Sequence, residues 1–269
     1  MTKSVMNALA GILAMQGRLA TDAPVPIINW QNPGDPRARI TLDHLLRMSS
    51  GLQFDEDMTN PLADVTYMLL GVPDMASYAT EKELEAKPGI RWQYPSGTSI
   101  IISRLMTDVL ANDGEYLNFP RRALFDRIGM TGATIEADAV GTLAGSSFMY
   151  ASARDWARFG LLCLQDGVWQ GQRILPAGWV AYTRAPAPAD PSAHYGAHLW
   201  LEVPDEYRGT NGGLPADAFH AVGNEAQVVS IVPSQEAVIV HLGLTRYPDA
   251  WDHTAFVREV LAALGPVRN

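Results

Sequence analysis

The sequence predicts an α+β protein, rich in helices, with its strands gathered towards the C-terminal end. Three observations carry this. Apolar residues recur at helical spacing in segment after segment up to about residue 165, as in Val5, Met6, Leu9, Ile12 and Leu13. Near the other end, Ala226 to Val232 and Ala237 to Leu242 are rich in valine and isoleucine and flank Pro233-Ser-Gln-Glu236, the signature of an antiparallel hairpin. The chain has 269 residues, 47% hydrophobic and 18% charged, enough for a sizeable core in one large domain or two intimately packed lobes.

In order along the chain, the first helix runs from Lys3 to Gln16, uncapped at its start, with Gly17 at its C-terminal end. Residues 20–39 are rich in proline and asparagine and form a loop. Thr41 then caps a short helix reaching Met48, ended by Ser49-Ser50-Gly51. Pro61 to Lys87 is helical with interruptions. Lys87-Pro88-Gly89 turns the chain into a loop, Trp92-Gln-Tyr94-Pro95-Ser96-Gly97, before a helix from Ser99 to Leu110. Ser152-Ala-Arg-Asp155 starts a helix ending near Gln165, and Asp252 to Leu264 forms the last, with Phe256, Val260 and Leu264 on one stripe. A hairpin alone is marginal unless packed on helices or further strands, so more sheet is expected than these residues supply.

The net charge of -9 and the pI near 5.1 argue against nucleic acid and anionic membrane as partners, because neither attraction nor counterion release favours binding. Small neutral or cationic substrates remain open. No apolar run approaches the roughly 18 to 20 residues of a membrane span. Cys163 is alone, so no intramolecular disulfide or cysteine zinc cluster is expected, and a small apolar residue on a buried helical face is its simplest reading. The first residues have one cation but no small-residue cleavage site, which leaves export and localisation open. Oligomeric state is equally open.

The chain has no Gly-x-Ser-x-Gly elbow, no Walker loop and no Gly-x-Gly-x-x-Gly after a strand, so the common α/β-hydrolase and nucleotide readings lack their signals. Other segments are more informative. Met1-Thr-Lys-Ser-Val is followed by Ile40-Thr-Leu-Asp-His-Leu-Leu-Arg-Met-Ser-Ser-Gly51 and Trp92-Gln-Tyr-Pro-Ser-Gly-Thr98. Then come Ala153-Arg-Asp-Trp-Ala-Arg-Phe-Gly160, Ile174-Leu-Pro-Ala-Gly-Trp179 and Phe219-His-Ala-Val-Gly-Asn-Glu-Ala-Gln227, leading to Pro233. In this order the six resemble the serine beta-lactamase and penicillin-binding-protein superfamily, particularly its class C, esterase and 6-aminohexanoate-dimer-hydrolase branches, over nearly the whole chain.

The resemblance assigns roles. The family's Ser-x-x-Lys motif puts a serine hydroxyl and a lysine amine on one helix face. Lys3 fits the lysine, and the serine then falls immediately before Met1, so the resemblance implies a chain cut at this motif and, as given, without its nucleophile. An exposed lysine at a helix start is the alternative reading of Lys3. Tyr94 matches the tyrosine of the Tyr-x-Asn loop, whose phenol acts as general base when a cation stabilises phenolate; a ring packed in a loop is the alternative. Ser96 stands where asparagine is usual and keeps a donor and an acceptor with shorter reach. His220 and Gly223 fall on the edge strand expected to line the cleft and supply an oxyanion-hole N–H, and Gln227 follows before the hairpin. Ala226 replaces a frequent glycine, and no lysine-threonine-glycine triplet is legible, which weakens antibiotic hydrolysis; the histidine-alanine-x-glycine form of the third motif places esterase activity above beta-lactamase or peptidase activity. Asn224 and Gln227 read equally well as satisfied polar groups at a strand end.

His194-Tyr-Gly-Ala-His198 has i, i+4 spacing but no glutamate of a His-Glu-x-x-His helix, and no metal or organic cofactor is expected. His44 reads as a helix residue with backbone partners, and His241 and His253 as surface or strand-end positions. The resemblance implies one beta-lactamase-like domain over 1–269. Residues 1–19 and 171–269 form a lobe with an antiparallel sheet flanked by helices, its N-terminal strands absent, and 20–170 form a mostly helical lobe. The implied activity is acyl transfer from a small ester or amide. The rival expectation is a non-catalytic remnant or binding protein that keeps the cleft.

Overall fold

The computed structural model describes residues 1–110, 116–207, 213–245 and 251–265. Its centre is helix α1, Thr2–Met15, buried from Thr2 to Leu13 on every side. A helix buried all round belongs in an interior, and Lys3, Ser4 and Asn7 of α1 are accommodated there with side-chain hydrogen bonds. Gly11 has no room for a side chain, since a Cβ there would lie 2.5 Å from the Trp179 ring. Gly17, at φ +69°, ends the helix as its sequence position suggests.

Helix α2, Leu42–Leu46, carries a reciprocal cap between Thr41 and His44. The interrupted segment resolves into α3, Asp64–Leu70, and α4, Met75–Thr80, the latter capped by Asp74. Helix α5, Ser96–Leu110, packs on α1 and begins three residues earlier than its apolar pattern indicates. The first turn of α5 is set by a distant residue: the Ser96 N–H donates to Glu56 Oε2 at 2.7 Å, a cap that local sequence does not contain. A π-helical turn at Arg121–Phe125 leads into the single turn α6, Asp126–Ile128, and strands β1, Thr134–Ile135, and β2, Met149–Tyr150, pair antiparallel.

Helix α7, Ala153–Leu164, starts at the expected Ser152/Asp155 capping box. It lies within the stretch assigned above to a helical lobe, yet it packs on the sheet: a Cβ on Gly160 would sit 2.5 Å from Val238 Cγ1. A short hairpin of β3, Val168–Trp169, and β4, Gln172–Arg173, precedes α8, Trp179–Arg184. The main sheet is antiparallel in the order β5, Phe219–Val222; β6, Val228–Val232; β7, Ala237–His241. Its register pairs His220 with Ser230 and Ser230 with Ile239, and the Pro233–Gln235 turn makes the expected hairpin. Trp200 bridges to His220, so one further segment lies along the outer edge of β5. Helix α9, His253–Leu264, capped by Asp252, rests against β7. No helix among the described residues is long and apolar enough to cross a membrane.

Candidate active site

The N-terminal end of α1, the start of α5, the 146–151 segment and the end of β5 enclose a cleft of about 690 Å³. Lys3, Tyr94, Ser96, Gly223 and Gln227 line it, together with Glu56, Trp200, Asn224 and Glu206. Five of the six residues singled out from sequence therefore converge from segments more than two hundred residues apart.

Lys3 is buried, with 7% of its surface exposed. An ammonium so placed needs compensation. It donates to Ser96 Oγ at 3.2 Å and to the Ser146 carbonyl at 3.4 Å, and its Nζ stands 4.5 Å from the centroid of the Tyr94 ring. The cation–π contact and the two hydrogen bonds replace part of its lost hydration. Among the described residues Lys3 has no direct ion pair. Tyr94 is half-buried in an aromatic wall, its ring 5.4 Å from Trp200 and 5.6 Å from Tyr195. Thr2 also lines the cleft, whereas the helical phase of α1 sends Ser4 elsewhere. The Ser4 hydroxyl donates to the His198 carbonyl at 2.8 Å, on a different face of the helix.

Glu56 is the residue that sequence reading missed. Its carboxylate accepts from the Ser96 hydroxyl at 2.5 Å and from the Ser96 N–H, so Ser96 connects Lys3 to an acid. No local pattern marks it, because Glu56 and Ser96 are separated by two helices and their connecting loops. The loop bearing Glu56 is itself held: Gln53 N donates to the Glu83 carbonyl and Gln93 Nε2 to the Phe54 carbonyl. Phe54 lies against Gly97, where an added Cβ would come within 2.8 Å of its ring.

On the β5 side, the Gly223 N–H donates to the Gln227 carbonyl at 2.7 Å and is not free to hold an oxyanion. The N–H of Asn224, next along the cleft, makes no hydrogen bond among the described residues. Gly223 has φ -120°, an extended conformation open to any residue; a Cβ there would meet Met1 side-chain atoms at 3.5 Å. Gln227 donates to the Asn224 carbonyl at 3.3 Å.

His220 lies outside the cleft, which corrects its assignment as a lining residue. Successive side chains of a strand alternate between faces, and this ring is turned into the core, 1% exposed. The hydrogen-bond order follows from the donors: Trp251 Nε1–H donates to His253 Nδ1, His253 Nε2–H to Ser230 Oγ, and the Ser230 hydroxyl to His220 Nδ1. Burial holds His220 down at about 3 and His253 at about 4, so both are neutral. His253 is thus interior, which corrects its reading as a surface or strand-end position, while His241 is half-buried at the end of β7, as read, and stacked on Trp251 at 4.1 Å. His198 is also interior: its Nδ1–H donates to the Leu46 carbonyl and its Nε2 accepts from Ser99, each at 2.8 Å. His194 instead faces Glu202 at 3.6 Å. Burial raises the Cys163 thiol to about 12.

Solved structures share this architecture. A protein from Bacillus anthracis described as a 6-aminohexanoate-dimer hydrolase superposes with a TM-score of 0.77 at 20% identity, over 98% of this chain and 71% of that one. A protein from Bacteroides dorei described as a beta-lactamase gives 0.72 at 20% identity, over 97% and 83%. A penicillin-binding protein from Bacillus halodurans gives 0.69 at 17% identity, over 98% and 84%. At these identities the likeness shows the fold, which is beta-lactamase-like. Comparison with curated proteins gave no match. The sequence profile of the beta-lactamase family matches residues 1–263, and the chain belongs to that family of serine hydrolases.

Proposed function

We propose that the protein hydrolyses small esters, and amides less readily, through an acyl-enzyme. The observation that carries this reading is the position of Lys3, its ammonium against the Tyr94 ring and Ser96 Oγ at the head of α1. By helix geometry, a serine three residues ahead of Lys3, before Met1, would share its helix face and border the same cleft. In this reading the serine attacks the carbonyl, Lys3 and Tyr94 carry its proton to the leaving group, and the Asn224 N–H contributes to oxyanion binding. Water then releases the acyl group. The Tyr94 phenol oxygen has no hydrogen-bond partner among the described residues, which leaves it available to a substrate.

The preference for esters rests on charge. Among the described residues lining the cleft Lys3 is the one Lys or Arg, and Glu56 and Glu206 are its carboxylates. The Ala221-Val222-Gly223 edge carries no cation for the carboxylate of a beta-lactam or of a peptide C-terminus. The rival reading is a binding protein that keeps the cleft.

The test expresses this chain beside one extended upstream through a serine at that position. Fluorophosphonate labelling by intact mass and hydrolysis of p-nitrophenyl esters and penicillin are then compared. Labelling of the extended chain alone, with esters turned over faster than penicillin, is expected. An extended chain that neither labels nor hydrolyses supports the binding protein. Labelling of the shorter chain at Ser4 overturns the role given to Lys3.

A further inference from the structure

Ser96 occupies a place where a lysine needs an acceptor, and a hydroxyl is an ambiguous choice. It has one proton and two lone pairs, and it rotates. If the proton turned towards Lys3, N–H would face O–H and the contact would be repulsive. The position of Glu56 removes this freedom. A carboxylate offers acceptors only; that of Glu56 lies 2.5 Å from Ser96 Oγ and is fixed in orientation because its other oxygen accepts the Ser96 N–H at 2.7 Å. The Ser96 proton therefore belongs to Glu56, and the lone pairs of Ser96 face the Lys3 ammonium 3.2 Å away.

We infer that Glu56 is a positioning residue of the site: by taking the Ser96 proton it makes Ser96 an obligate acceptor for Lys3 and holds the ammonium against Tyr94. This rests on the catalytic reading of Lys3 and Tyr94 given above. The bonds run in one direction, Lys3 to Ser96 to Glu56, so each polarises the next. The carboxylate also supplies a counter-charge for a buried cation that has no direct ion pair among the described residues, without covering the face that Lys3 turns to Tyr94. A lone serine could not do either.

The alternative role of Glu56 is solely to cap α5, and the experiment separates the two. The chain contains three lysines, Lys3, Lys82 and Lys87. Labelling with 15N-lysine therefore gives three ammonium groups whose proton exchange NMR can follow. Lys82, bonded to Asp64 and Tyr78, and exposed Lys87 serve as internal references.

In Glu56→Gln the amide oxygen keeps the cap on the Ser96 N–H, but the Ser96 proton is no longer drawn away. Exchange at Lys3 should quicken about tenfold, with Lys82 unchanged. Ser96→Ala, which leaves Glu56 capping the helix, should quicken it at least as much. Adding Ser96→Asn to Glu56→Gln should restore slow exchange, because an amide oxygen accepts without needing a partner for a proton. Unchanged exchange at Lys3 in either single variant overturns the inference, as does failure of Asn to restore it, which assigns Glu56 to the cap. These readings need no turnover. An inactive protein would count against the hydrolase proposal while the Glu56 inference is decided by the exchange rates.

Discussion

Trp179 donates its indole N–H to Asn7 Oδ1 at 2.9 Å, and this contact locks α8 against the central helix. Asn7 uses both ends of its amide: Oδ1 also accepts from the Thr183 hydroxyl at 3.1 Å, and Nδ2 donates to the Ala197 carbonyl at 2.9 Å. Replacing it with leucine keeps the volume but leaves three buried polar groups unpaired. Asn7→Leu should cost about 3 kcal/mol or more, lowering the melting temperature by roughly 6 to 12 °C in a calorimetric scan. An unchanged melting temperature would mean the groups find other partners.

Tyr94→Phe removes the phenol and keeps the ring that packs on Trp200 and Tyr195. In a form of the protein that hydrolyses p-nitrophenyl esters, turnover should fall about a hundredfold or more with stability nearly unchanged. Parent-like rates in the Phe variant would take Tyr94 out of the mechanism.

Gly223→Val probes the strand edge. The backbone at residue 223 does not require glycine, so the added side chain acts through space, meeting Met1 and narrowing the cleft. The variant should fold, by circular dichroism, and bind or turn over substrate at least tenfold less well, since even a small misplacement of bound substrate is costly. A fully active variant would place the acyl group away from this edge.

Acid should loosen the attachment of α9. His220 and His253, held at about 3 and 4 by burial, are neutral when folded, and they bind protons more readily unfolded, near pH 6.5. His241 further opposes charge on His253, while Asp252 favours it. The unfolded state thus takes up more protons, and stability present above about pH 6.5 is lost as pH falls towards 4. Buried His198, held at about 3, adds to the same trend. His253→Gln retains a donor for Ser230 without a titrating ring, so its melting temperature should vary less between pH 7 and 4.5 than the parent's. Equal slopes would put the acid sensitivity elsewhere.

How far the site was legible depends on the distance over which each residue acts. Lys3, Tyr94 and Gly223 lie in short segments whose spacing resembles a known family, and they meet in the cleft. His220 sits in such a segment as well, but one residue along a strand reverses the face, and its ring entered the core with Ser230. Ser96 was readable as a departure from the usual asparagine. The partner that makes the departure workable was not, because Glu56 approaches it through tertiary structure.

The sequence by itself indicated the longer helices, the caps at Thr41 and Ser152, the terminal hairpin and the family, since each is written in contiguous residues with local periodicity or hydrogen bonding. Only the tertiary structure decided where α5 begins, which face His220 takes, that His253 is interior, and that Glu56 orients Ser96 towards Lys3. These depend on groups brought together by packing across the chain, and no local pattern of residue types encodes which distant donor will meet which acceptor.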